Sequence, residues 1–375
     1  VSPPAFWCER DDDGARARRV TWVELFFDLV FVAAVAQVGA PLTADYSFDG
    51  LARYTFLLCV IWWAWSGHAM YATRFDADDG WQRGLTLLQM IAVIFMAANA
   101  EEGLDTVSSA GFAAAYAVMR LILVLQYIRA GTIAPARALT RTSARGFGAA
   151  ACVWLLSALV GGVSVRYGLW GVALVMEVAT AVRVSRHVEA LPPHASHLPE
   201  RFGLFTLILL GDSIIALMKG IQAQPEWSPA AAGAAFAGIC FTFVVWWIYF
   251  QRAAAAADRH VRTARERRDY AIWTYVHVPL YLGLVLSAVG VEHIIRQGPA
   301  FHPHAEEAMI LAGAVCAVAA SLGVLYAVRV TGRRATSSSA EDGAITTDGE
   351  LTPAAERAPL PEPMPSRPTS ASSIG

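Results

Sequence analysis

The feature that most limits what this chain can fold into is a series of apolar runs, each about 20 residues long, parted by short segments that hold most of its charge. Wound as a helix rising about 1.5 Å per residue, such a run crosses a hydrocarbon layer about 30 Å thick. Ten runs qualify, near residues 20–39, 51–72, 83–100, 109–129, 147–164, 167–184, 202–221, 230–251, 271–292 and 306–329. The expected fold is therefore all-α: a polytopic transmembrane bundle of ten spans. Composition agrees, since 16% of the 375 residues are charged where a soluble domain has about a quarter.

The placement of the cations says more than the net charge of -2. Arg10, Arg16, Arg18 and Arg19 precede the first span, and Arg74 and Arg83 follow the second. Arg129, Arg137, Arg141 and Arg145 follow the fourth, Arg183, Arg186 and Arg201 the sixth, and a cluster of arginines in "QRAAAAADRHVRTARERRDY" the eighth. The segments between these carry one cation or none. By the positive-inside rule, both termini are expected on the cytoplasmic side of the cell (plasma) membrane. No extended basic face with interleaved aromatics appears, so no nucleic-acid partner is expected.

Three regions follow. Residues 1–19 are charged and expected to be cytoplasmic, so the first span is expected to act as the insertion signal. Residues 20–330 form the membrane domain. Residues 331–375, rich in Ser, Thr, Pro, Glu and Ala, are expected to remain a disordered cytoplasmic tail, because they cannot bury enough apolar area to offset chain entropy. Four of the five cysteines lie inside apolar runs without metal or disulfide spacing, as small buried residues do.

A parallel internal repeat links spans 1–2 to spans 7–8, in units beginning near 20 and 202. Asp28 pairs with Asp212, and Trp62 and Trp63 with Trp246 and Trp247, at one common offset. Six spans lie between the units, an even number, so they would run parallel.

Acids inside spans are the candidate chemistry. "ELFFDLVFVAAV" sets Glu24 and Asp28 one helical turn apart on one face, and that face must meet something polar. Asp212, Glu177 and Arg120 also lie within spans, with Arg120 expected as the only cation near mid-depth. A charged residue at the bilayer centre costs about 3 kcal/mol on insertion scales, so such groups face the bundle interior or a wet cavity. The expectation is a hydrated chamber shared by Asp28 and Asp212, with Glu24, Arg120, Glu177 and His277 along an ion or solute pathway. The competing reading of the same residues is interhelical ion pairs that fix packing.

A second cluster, "RFDADDGWQR", gathers Asp76, Asp78 and Asp79 between Arg74 and Arg83, and the loop after span 8 carries Asp258 and Asp269. Oxygen ligands of this kind suit magnesium, and the flanking arginines suit a phosphate clamp. Paired acidic loops resemble in layout, though not in motif, the UbiA-type prenyltransferases. Solvated charged loops account for the same residues.

"RRVTWVELFFDLVFVAAVAQV", "RFDADD", "PERFGLFTLILLGDSIIAL" and "YVHVPLYLGL", in that order across residues 18 to 330, resemble the low temperature requirement A (LtrA) family of bacterial membrane proteins. One position departs: the family carries Glu where Asp212 stands, which keeps the charge and shortens its reach. The resemblance implies an integral membrane protein and leaves its biochemistry open.

Two functions are weighed. The first is a transporter or channel for a small cation, proton or polar solute, working through the mid-membrane acids without a cofactor. The second is an intramembrane enzyme acting on a lipid or prenyl diphosphate, with Mg held by Asp76, Asp78 and Asp79. The lipid bilayer is a partner in both, and neither excludes an oligomer.

Overall fold

The structure is a computed structural model that describes residues 20–43, 46–75, 79–101, 107–186, 197–224, 228–253, 264–297 and 304–345. Every regular element in it is helical. In order these are α1 (Trp22–Gly39), α2 (Phe48–Ala72), α3 (Gly80–Glu101), α4 (Val107–Ala130), α5 (Arg137–Leu159), α6 (Val163–Ser185), α7 (His197–Gln222), α8 (Pro229–Ile248), α9 (Ala264–Tyr275), α10 (His277–Gln297) and α11 (Ala305–Ile345). A short 3-10 turn, Ala40–Thr43, follows α1, and a π turn, Tyr249–Ala253, follows α8.

Local chemistry explains several ends. Thr21 caps α1 in a capping box: its hydroxyl accepts from the Glu24 N–H, while the Glu24 carboxylate accepts from the Thr21 N–H. Ser47 and Ser228 cap α2 and α8 in the simpler way, and Pro229 occupies the first turn of α8. Between α9 and α10 the axis is interrupted at Val276, because Pro279 has no N–H to offer the Tyr275 carbonyl. Counting α9 and α10 as one interrupted rod, the described residues form the ten rods expected from hydropathy.

Eight of these, counted among the described residues, are both long and apolar enough to cross a membrane. The other two, α2 and α5, have 25 and 23 residues, about 35 Å or more of helix, but carry more polar groups. On α2 these turn inward: Ser66 and His68 are buried among the other helices. Outward faces are oily, with Leu87, Ile91, Ile94 and Phe95 of α3 and Phe236, Phe243 and Trp247 of α8 exposed, as in a bundle solvated by lipid.

Helix α1 is central to the packing. It lies against α2, α3 and α7, while α4 packs on α3 and α5, α5 on α6, and α10 on both α7 and α8. Phe27 and Phe31 of α1, Trp65 of α2, Phe202 and Phe205 of α7 and Tyr281 of α10 meet in the main core. Three helices begin five or more residues earlier than hydropathy placed them, α9 among them at Ala264. Helix α5 starts at Arg137 and α7 at His197, so residues expected in loops enter the bundle.

The helices matched by the proposed repeat, α1 and α7, pack against each other, but paired positions differ in surroundings. Asp28 is fully buried and Asp212 half-buried; Trp62 is buried and Trp246 only partly so. The described residues up to 331 form one compact unit, and those from 332 belong to a second. Within the second, residues 332–345 are helical, over the start of the expected tail, and 346–375 lie outside the described residues.

Candidate functional site

The face shared by Glu24 and Asp28 meets α7. Arg201, in the second turn of α7, donates to both Asp28 carboxylate oxygens, through Nε to Oδ2 at 3.3 Å and through Nη2 to Oδ1. Trp65 of α2 donates its indole N–H to Oδ1 at 2.7 Å. Neither charged side chain has exposed surface, and the guanidinium lies over the rings of Phe27 and Trp65. Asp28 is therefore locked dry against an arginine, which corrects the expectation of a hydrated chamber shared with Asp212. Asp212 lies eleven residues further along α7, half-buried, with Lys219 and Glu292 as its charged neighbours.

Glu24 sits at the end of α1, not at mid-depth, because it is the third residue of the helix, where it closes the capping box. Beyond the cap, its Oε2 lies 3.3 Å from Nε2 of His197, the first residue of α7. On the other side of the imidazole, Nδ1 is 3.3 Å from the Thr73 hydroxyl, which follows α2. That hydroxyl has one hydrogen and donates it to the Ala69 carbonyl at 2.7 Å. Nδ1 must then donate to Thr73. Oε2 of Glu24 already accepts from the N–H and the hydroxyl of Thr21, so a hydrogen bond to Nε2 needs one further proton between the imidazole and the carboxylate.

Arg120 and Glu177 form a second buried pair, between α4 and α6. Nη2 of Arg120 is 2.5 Å from Oε2 of Glu177, and the Tyr116 hydroxyl bridges the two, donating to Glu177 at 2.9 Å and accepting from Arg120. Trp154 packs tilted against Tyr116 at 4.3 Å between ring centres. Arg120 is not the only buried cation in a span. Arg166, in the first turn of α6, donates to the Ser157 and Val160 carbonyls and to the Ser109 hydroxyl. It caps the end of α5 and so permits the short link at residues 160–162.

His277 stands in a cage of Phe202, Tyr249, Trp273 and Tyr281. Its Nδ1 donates to the Trp273 carbonyl at 2.7 Å, and its Nε2 lies 3.0 Å from the Tyr249 hydroxyl. These contacts fix the ring at the α9–α10 break.

Of the acidic loop residues, Asp79 caps α3 by accepting the Gln82 N–H at 2.9 Å and is bound by the Arg129 side chain at the end of α4. The Arg129 hydrogen bond holds its carboxyl below the ordinary aspartate range. Arg83 is exposed on α3 and Asp269 half-buried on α9. Asp76, Asp78 and Asp258 lie outside the described residues. Among the described residues no group of three or more His, Cys, Asp or Glu side chains is placed to hold a metal ion. A cavity of about 200 Å³ is lined by Arg74 and Arg120, while Glu24, Asp28 and Asp212 lie apart from it.

Sequence reasoning missed Arg201 and His197 by leaving both in a loop. Pro199 was the signal available, since proline is favoured in the first helical turn and places the start of α7 just ahead of it. Glu24 had its signal in Thr21, three residues earlier.

No solved structure matches the chain. It is similar to the uncharacterized protein RA0937 of Rhizobium meliloti (strain 1021), 30% identical over 298 residues that cover 72% of this chain and 68% of that one. The sequence profile described as "Bacterial low temperature requirement A protein (LtrA)" matches residues 19–341, which takes in both buried ion pairs and the Glu24–His197 contact, and the chain belongs to that family of bacterial membrane proteins.

Proposed function

We propose that this membrane protein transports a polar solute with coupled movement of a proton, and that Glu24 and His197 are the groups that take up and release it. One observation carries the reading: with Thr73 committed to Ala69 O, the Glu24–His197 contact needs an extra proton to be a hydrogen bond. The site joins the ends of three helices, α1, α2 and α7, so losing the proton loosens α7 from one of its partners, because a neutral imidazole can donate to Glu24 or to Thr73 but not to both. Asp28 and Arg201 act as the fixed hinge of the same seam. The coupling ion is a proton and not a metal cation, because the deep acids Asp28 and Glu177 are already neutralised by arginines.

The seam lies at the bundle end that carries Arg74, Arg129 and Arg137, which we place on the cytoplasmic side of the plasma membrane. Reconstitution into vesicles containing a trapped pH dye tests the reading. An imposed pH gradient should collapse faster than in empty vesicles, and His197→Gln should remove the difference. Equal rates with and without protein would defeat it.

The enzyme reading keeps one supporting observation, that Arg74, the expected phosphate clamp, lines the cavity. Magnesium-dependent turnover of a prenyl diphosphate, lost in Asp78→Ala, would favour it over transport.

A further inference from the structure

The face of α7 that meets Asp28 continues past the buried pair. Arg201, Phe205, Ile208, Asp212, Ile215 and Lys219 follow one another at alternate steps of four and three, so they form one stripe along the helix. Burial falls along it: Arg201 and Phe205 are closed off, Ile208 and Asp212 are half-buried, and Ile215 and Lys219 are exposed. Beside Asp212, a Cβ built on Gly211 would meet nothing within 4 Å. The stripe that is dry at Arg201 is therefore open at Asp212, about 22 Å along the helix from His197.

We infer that Asp212 is a second proton-binding carboxyl of α7, loaded from the end of the bundle opposite Glu24 and His197. Its purpose rests on the proton-transport reading; its place in the structure does not.

Among the described residues no hydrogen bond or ion pair reaches the Asp212 carboxylate. That separates it from Asp28 and Glu177, each held by an arginine. An acid within a span and without a counter-cation is costly to keep ionised, and taking up a proton neutralises it. Few charges bear on it. Lys219, two turns further on, is exposed, and Glu292 of α10 is taken by Arg296. Helix α1 beyond Asp28 and the whole of α8 have no charged side chain.

From α2 comes the hydroxyl of Tyr54, which is buried, has no hydrogen-bond partner and feels the charge of Asp212. A phenol hydroxyl both donates and accepts, so it suits a carboxylate and a carboxylic acid alike. The proton step makes one O–H bond: water at the far end gives a proton to the carboxylate and leaves a neutral acid, and the reverse step returns it. Between the two sites the Asp28–Arg201 pair has no exposed surface, so protons come to each site from its own end.

The full chain in lipid vesicles is treated with dicyclohexylcarbodiimide, an apolar reagent that couples to carboxyl groups holding a proton, and the labelled residues are read by mass spectrometry. Asp212 should be labelled, at a rate that falls about tenfold per pH unit above its pKa, while Asp28 and Glu177 stay unlabelled. In the pH-gradient assay Asp212→Asn should abolish proton movement and Asp212→Glu should keep it, because glutamate retains the titrating group. No labelling at Asp212, or labelling indifferent to pH, would overturn the inference, and so would full proton movement in Asp212→Asn. A wild type that moves no protons yet shows pH-dependent labelling of Asp212 would instead defeat the transport reading and leave this site standing.

Discussion

Arg201 of α7 and Asp28 of α1, 173 residues apart in sequence, meet with no exposed surface on either side chain. The pair joins the two helices that the apolar core already brings together, and the Trp65 indole holds the carboxylate from a third side. Removing one partner leaves the other charged and buried. Asp28→Asn should therefore cost about 3–5 kcal/mol, whereas Asp28→Leu with Arg201→Met should recover most of the loss. Denaturant unfolding in detergent compares them; a single variant as stable as the wild type would mean that water reaches the pair.

Arg166→Ala should free the Ser157 and Val160 carbonyls at the end of α5. The expected cost is about 1–3 kcal/mol, confined to the α5–α6 turn. Hydrogen exchange at residues 157–163 reads it directly, and protection equal to wild type would show that the carbonyls find other donors.

Gly283 of α10 lies where a Cβ would come 2.7 Å from the Ala314 carbonyl oxygen of α11, a backbone atom that cannot swing aside. Gly283→Ala should push α11 away and lower stability by about 1–3 kcal/mol. A thermal unfolding curve unchanged by the substitution would mean that the two helices already stand further apart.

Asp79 tests the loop chemistry. Its carboxyl is held low by Arg129, so the contact stabilises the fold above the ordinary aspartate pKa of about 3.9 and is lost as pH falls through the lower folded value. Because the pair is partly exposed, Asp79→Asn should cost less than about 1 kcal/mol at neutral pH, and the difference from wild type should vanish in strong acid. A difference that persists there would assign the effect to the α3 cap at Gln82 and not to charge.

What the amino-acid sequence determined alone was the set of rods. The length of each apolar run, the capping pattern of Thr21 with Glu24 and the proline at 279 are local, and each acts through the backbone within a turn or two of itself. The alternation of basic segments and the four family motifs are likewise legible one stretch at a time. Partner choice is of another kind. That Asp28 finds Arg201, Glu24 finds His197 and Arg120 finds Glu177 depends on how helices rotate and where α7 begins, which side-chain packing settles across 57 to 173 residues. The same tertiary packing turned Asp28 away from Asp212 and set Arg120 against Glu177, because a helix presents its residues in every direction and only its neighbours decide which of them meet.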